Sequence, residues 1–271
     1  MRLSPAEVKG EITVEDVSFG YQSGQSVLRN ISFTIGPGDM LAVVGRTGSG
    51  KSTLLRLLAR LYDTDSGRVL LDGHDIRQLD LADLRAAVAL VSQETYLFEG
   101  TIRDNLRYGK PDATDEELLT AMSQAGAADL IERLPEGLDT SVGERGTRLS
   151  SGERQRVAIA RSILRNANVW LLDEITAHLD YETEHAIQLS IQEIASDRTT
   201  VVVTHRLATI RYAKRILVLD DGKIAESGTH DELLTLGGLY AGLWRLQSGG
   251  EAGAPRPRRR TRPSRKHPAP K

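Results

Sequence analysis

Apolar positions change period several times along this chain, and each change predicts a change of structure. From Gly10, the residues Ile12 and Val14, then Ile31, Phe33 and Ile35, fall on alternate positions. That is the period of half-buried strands, with Gly20, Gly24 and Gly36-Pro37-Gly38 supplying turns, so an antiparallel β region is expected. Residues 40–44 (Met-Leu-Ala-Val-Val) are continuously apolar, as in a strand buried on both faces, and the Leu-rich stretch 54–58 has helical spacing to about Arg60. Ser66-Gly67 and Asp72-Gly73 bracket a short strand at 68–71, and Asp72-Gly73 is a hairpin signal. Asp80 is placed to cap a helix that ends before a strand at Val88–Val91.

From Gln93 to about Arg165 strand periods give way to helix caps. Thr114 with Glu117, ahead of Leu118, Leu119 and Met122, forms one capping box, and Ser150 with Glu153 forms a second, opening a helix that carries Val157, Ile159, Ala160 and Leu164. The rhythm of strand and helix then resumes: a strand at 169–172, a helix with Ile187, Ile191 and Ile194, and strands at 201–203 and 216–219. Asp221-Gly222 turns the chain into 223–225, and Thr229 with Glu232 caps a last helix. Apolar runs between helices predict an α/β fold with a mainly parallel sheet covered on both faces, an N-terminal antiparallel β subdomain and an inserted α-helical subdomain at about 93–165. The expected divisions are a leader at 1–9, one domain at 10–248 and a basic tail at 249–271 whose Gly/Pro/Arg composition predicts disorder.

A chain of 271 residues can bury a substantial core, and the absence of cysteine excludes disulfides and thiolate metal sites. The apolar runs are far shorter than the roughly 18 residues needed to span a bilayer, and no signal peptide opens the sequence, so a cytosolic polypeptide is expected. The net charge of −2 hides an asymmetry: residues 249–271 carry eight Lys/Arg against Glu251, and removing that +7 leaves −9 on residues 1–248. No aromatics are interleaved in this tail, which argues against stacking recognition of nucleic acid and leaves a solvated end or a contact with anionic lipid.

The stretch Gly45-Arg46-Thr47-Gly48-Ser49-Gly50-Lys51-Ser52-Thr53 fits G-x-x-x-x-G-K-[ST] without a mismatch and lies between a buried strand and a helix. Its glycines let backbone N–H groups approach a polyphosphate, at which the helix also aims the positive end of its dipole. Lys51 is placed for the β- and γ-phosphates and Ser52 for Mg²⁺. The apolar strand at 169–172 ends in Asp173 and Glu174, and in a parallel sheet such strand ends gather at one edge. Asp173 suits Mg²⁺, and Glu174 suits a base that takes a proton from the attacking water.

Leu149-Ser150-Ser151-Gly152-Glu153-Arg154-Gln155-Arg156 resembles the signature segment of ATP-binding cassette (ABC) ATPases, usually LSGGQ followed by a basic helix. The order phosphate loop, Gln93, signature, Asp173-Glu174, His205 matches that family, and the resemblance covers about residues 10–246. It implies a P-loop NTPase core that binds ATP with Mg²⁺. It also implies that Tyr21 stacks on adenine, that Gln93 senses Mg²⁺ and the γ-phosphate, and that His205 contacts the γ-phosphate. Ser150, Ser151, Gly152 and Glu153 would close over the nucleotide of a second nucleotide-binding domain in a homo- or heterodimer. Residues 97–105 and 142–146 look like stretches of exporter-type cassettes that touch transmembrane partner subunits. An ATPase on the cytoplasmic side of the cell membrane is implied, with a soluble ABC ATPase acting on nucleic acid or ribosomes, or a regulatory cassette, as alternatives. Departures from the family pattern are Ser151 for glycine, Glu153 for glutamine, and Ile175, Ala177 and His178 after the catalytic acid. Glu153 is expected to fold back on the Ser150 amide.

Overall fold

The computed structural model describes residues 1–4, 7–22, 24–175, 181–195, 197–204 and 210–247. Strands β1 (Ile12–Phe19), β2 (Leu28–Ile35), β4 (Ser66–Leu71) and β5 (His74–Asp75) form an antiparallel sheet in the order β2-β1-β4-β5. The two-residue turn between β4 and β5 holds Asp72 at φ 49° and Gly73 at φ 80°, the two positive values a tight hairpin requires.

A second sheet is built on β3 (Met40–Gly45), with β6 (Val88–Val91), β7 (Val169–Asp173), β8 (Thr199–Val203), β9 (Arg215–Asp220) and β10 (Lys223–Gly228). Its order is β10-β9-β3-β8-β7-β6; all neighbours are parallel except β9 and β10. Continuous apolar runs at the centre follow from burial on both faces. Met40, Ala42, Val44, Trp170, Leu172 and Val202 enter one core, while Leu41, Val43, Leu171, Val201 and Val203 enter the other.

The second of these cores lies between the two sheets and is completed by α1 (Lys51–Leu58) and α2 (Leu81–Ala87). The first is covered by helices between β6 and β7, namely α3 (Ile102–Arg107), α4 (Asp115–Gln124), α5 (Ala128–Arg133) and α6 (Ser151–Arg165). Further residues reach it from α7 (Tyr181–Ala195), α8 (His230–Leu236) and α9 (Leu239–Gln247). The boxes at Thr114/Glu117, Ser150/Glu153 and Thr229/Glu232 cap α4, α6 and α8 as the spacing predicts. A fourth, Thr101/Asp104, starts α3.

The first residues dock on the body. Val8 is buried, the Met1 amino group donates to the Gln78 carbonyl, and one carboxylate, Asp72, accepts from the backbone N–H groups of Lys9, Gly10 and Glu11. The basic tail and residues 176–180, including Ala177 and His178, lie outside the described residues.

Candidate functional site

Three parallel strands, β3, β7 and β8, end at the same edge of the large sheet, and the chemistry of the site gathers there. Asp173, the last residue of β7, pairs in register with Val203 of β8, and Glu174 donates its backbone N–H to the Val203 carbonyl at 2.9 Å. Glu174 itself takes a left-handed backbone, φ 47°, so the chain breaks from the strand at the residue proposed as base. Backbone strain of this kind clusters at functional positions. His205 follows Thr204 beyond the end of β8 and lies outside the described residues.

Between β3 and α1 the loop turns through Gly45, Gly48 and Gly50, with φ of 151°, 81° and 101°. A Cβ at Gly45 would stand 2.2 Å from the Leu219 carbonyl oxygen of the paired strand, whereas one at Gly48 would meet nothing within 4 Å. Gly45 is therefore demanded by the protein, and Gly48 opens onto free space. Lys51 is buried, and its ammonium donates to the carbonyls of Gly45 (3.0 Å) and Arg46 (3.1 Å), so it is held over the loop. Burial pushes its pKa down, opposed by the charges of Glu174 and Asp173.

Ser52 Oγ donates to Asp173 Oδ1 at 3.0 Å, joining residues 121 apart in the chain. Asp173 is buried, and burial pushes its carboxyl above the ordinary range; the Ser52 hydrogen bond opposes this and Glu174 adds to it. A cavity of about 500 Å³ opens at this point, lined by residues of the loop together with Val27, Gln93 and Glu174.

The residues present fit a triphosphate with Mg²⁺. Ser49 Oγ is buried without a hydrogen-bond partner among the described residues, the first N–H groups of α1 point out of its end, and Lys51 supplies the cation. A hydroxyl and one carboxylate, Ser52 and Asp173, are the sparse protein set that Mg²⁺ takes when phosphates and waters supply its other oxygens.

The structure thus brings Thr47, Gly48, Gly50, Lys51, Ser52, Thr53, Gln93 and Glu174 to one cavity, with Asp173 behind Ser52, while Gly45, Arg46 and Ser49 of the same loop are not in its described lining. Tyr21 stands beside it instead of in its described wall, its hydroxyl 3.1 Å from Thr53 Oγ1. Ser150, Ser151, Gly152 and Glu153 begin α6 and are not among the described residues lining the cavity. Glu153 does fold back: Oε2 accepts from the Ser150 N–H at 2.8 Å, while Ser150 Oγ accepts from the Glu153 N–H at 3.3 Å. Burial works against the Glu153 carboxylate, but the Ser150 amide and hydroxyl and the charge of Arg133 hold its pKa below the usual value. Val27 lines the cavity, and Arg56 Nη1 donates to the Tyr21 hydroxyl at 3.0 Å beside it; neither has a signal in the sequence. A lone valine in a loop carries no pattern, and Arg56 reads as an ordinary exposed helix residue.

A second cavity, about 330 Å³, opens beyond the end of β6. Phe98 stacks on Tyr108 with centroids 4.3 Å apart, Tyr96 meets Phe98 edge-on, and all three rings are exposed. Arg161 lies beside them with its Nη1 buried and without a hydrogen-bond partner among the described residues. Residues 97–105 and 142–146, distant in sequence, meet near this cavity: Ile102 donates to the Thr140 carbonyl and Val142 to that of Gly100.

Comparison with known proteins gives the same picture. A family model described as ABC transporter matches residues 28–177. The chain is 51% identical over 243 residues to ATP-binding cassette sub-family B member 6 of Homo sapiens, covering 90% of this chain and 29% of that protein. It is 49% identical over 245 residues to the beta-(1-->2)glucan export ATP-binding/permease protein NdvA of Rhodopseudomonas palustris (strain BisB18), with 90% and 41% covered. Among solved structures, a bacterial Atm1-family ABC exporter with ATP bound superposes with a TM-score of 0.87 at 44% identity, covering 91% of this chain and 43% of that one. The chain therefore spans less than half the length of each of these relatives.

Proposed function

The chain belongs to the ABC transporter family, and on that premise we propose that it is the ATP-binding and ATP-hydrolysing part of an exporter, paired with a second nucleotide-binding domain and driving transmembrane partner domains. The observation that carries this reading is the convergence of Lys51, Ser52, Gln93 and Glu174 on one cavity, with Asp173 hydrogen-bonded behind Ser52. No helix among the described residues is long and apolar enough to cross a membrane. In the proposed exporter, transmembrane partner domains supply the membrane-spanning part and this domain works on the cytoplasmic face.

In this reading the loop amides and Lys51 hold the β- and γ-phosphates, and Tyr21 stacks on the base. Ser52 and Asp173 hold Mg²⁺, which when bound neutralises developing charge on the phosphates. Glu174 accepts a proton from the water that attacks the γ-phosphorus, the β–γ bridging bond breaks, and ADP and phosphate leave. His205 contacts the γ-phosphate. Ser150–Glu153 of each subunit close over the nucleotide of the other, so ATP favours the closed dimer and hydrolysis releases it.

The aromatic cavity near Phe98 and Tyr108, with residues 97–105 and 142–146 beside it, suits a segment of the transmembrane partner. Its exposed rings form an apolar anchor site, and Arg161 offers an unused donor. For the basic tail the alternatives are a solvated end and a contact with anionic lipid, the latter at about 1 kcal/mol for each nearby basic residue. If deletion of 249–271 leaves binding to phosphatidylserine vesicles unchanged, the lipid contact fails.

The experiment for the whole reading is Glu174→Gln in the full chain. ATP turnover should fall about 100-fold or more, and size-exclusion chromatography should show a dimer that forms only with ATP. Turnover at the wild-type rate, or no ATP binding by the wild type, overturns the assignment.

A further inference from the structure

Tyr21 begins the loop that joins β1 to β2, and 43% of its surface is exposed. A ring in such a place is free to swing unless something holds it, and the freedom it loses on meeting a base lowers affinity. Four side chains hold it. Its hydroxyl is 3.1 Å from Thr53 Oγ1 and accepts from Arg56 Nη1 at 3.0 Å. Thr53 and Arg56 are three residues apart on α1 and so share one face of the helix that opens the phosphate cavity. The ring packs against Phe19 (centroids 5.1 Å apart, interplanar angle 84°) and Tyr62 (5.2 Å, 86°), edge-to-face geometry that aromatic pairs favour.

Phe19 and Tyr62 are themselves 5.6 Å apart, closing a triangle of rings. Tyr62 lies just after α1, where the chain also grips the base of the Tyr21 loop. Asp65 accepts from the Gly20 N–H at 2.9 Å and donates its own N–H to the Ser18 carbonyl at 3.0 Å. Tyr62 is 46% exposed and Arg56 is also exposed, so neither is explained by the core.

We propose that Arg56 and Tyr62 are positioning residues for nucleotide binding: they hold the Tyr21 ring in the orientation on which a purine base stacks, and so couple base recognition to α1. The inference rests on the assignment of Tyr21 as the stacking residue, and its test separates the two.

MgATP and magnesium tripolyphosphate are titrated by calorimetry into the full chain and into the variants Arg56→Met, Tyr62→Leu and Tyr21→Ala. Tyr21→Ala is also combined with each of the other two. Immobilising one side chain corresponds to roughly threefold to tenfold in affinity, so each positioning variant should weaken MgATP by about that factor. Tripolyphosphate, which has no base, should bind unchanged, and neither change should add to Tyr21→Ala. If Tyr21→Ala weakens MgATP but the other variants do not, or if their losses add in full to it, the positioning role is overturned and the stacking assignment stands. Equal losses for tripolyphosphate overturn it in favour of an effect on the phosphate loop. If Tyr21→Ala leaves MgATP binding intact, the stacking assignment fails and the proposal with it.

Discussion

Glu153 stands where the family pattern has glutamine, and the structure predicts what restoring that residue does. The carboxylate closes the cap of α6 on the Ser150 N–H at 2.8 Å, and its other oxygen lies 3.4 Å from Arg133. In Glu153→Gln the amide oxygen can keep one acceptor role, but the charge at the helix start and the pairing with Arg133 are lost. The helix-dipole part is about 0.3–1 kcal/mol and the loss of a charge-assisted hydrogen bond about 1 kcal/mol, both reduced where water reaches the pair. A loss of about 1 kcal/mol is expected, or roughly 2–4 °C in melting temperature. Because the folded-state pKa of Glu153 is depressed, its contribution is present above the unfolded value near 4.3 and fades as pH falls through the folded pKa. The variant should lose that part of the acid dependence. Its ATPase rate should change less than about tenfold, equivalent to 1.4 kcal/mol, because the carboxylate is already turned into the cap. Urea unfolding at pH 7 and pH 4, with phosphate release at saturating MgATP, measures both. A rise in turnover above tenfold with stability unchanged would refute the reasoning, since the charge would then oppose nucleotide closure instead of serving the helix.

Other outcomes follow from the same contacts. Asp173 has its pKa raised by burial, so between its unfolded value near 3.9 and its folded value the folded chain binds more protons, and stability without nucleotide falls as pH rises. Asp173→Asn should therefore stabilise the nucleotide-free protein at pH 7 while abolishing Mg²⁺-dependent ATP binding; thermal melts with and without MgATP check both signs. Gly45→Ala should fail to fold stably, since its Cβ would lie 2.2 Å from the Leu219 carbonyl oxygen within the sheet. Gly48→Ala meets no neighbour and should fold, at a cost of about 1–2 kcal/mol for its left-handed backbone, while binding ATP weakly; circular dichroism melts and nucleotide titration distinguish the two.

Local rules were enough for much of the fold. Buried strands were marked by their continuous apolar runs, and the helix starts at Thr114, Ser150 and Thr229 by a hydroxyl three residues before an acid, because those caps are satisfied within one turn. The same spacing, Thr101 with Asp104, opens α3 inside the exporter-like segment, with aspartate where a capping box usually carries Glu or Gln. The docking of residues 1–4 and 7–9 had no such signal: Asp72 serves as a hairpin residue in sequence and, only once folded, as the acceptor for three N–H groups more than sixty residues away.

For the site, the sequence by itself determined the chemistry available: a glycine loop with Lys51 and Ser52, a strand ending in Asp173 and Glu174, and a cap in which Glu153 is bound to Ser150. Each depends on neighbours in the chain, so each can be read from residue types at fixed spacing. Tertiary structure alone decided that Ser52 meets Asp173, that Gln93 and Val27 reach the same cavity, and that Tyr21 is pinned by Arg56 and Tyr62. Those meetings depend on the strand order around β3, which is set by burying both faces of one sheet at once. Burial depends on apolar area and not on sequence distance, so it joins residues that no local pattern connects.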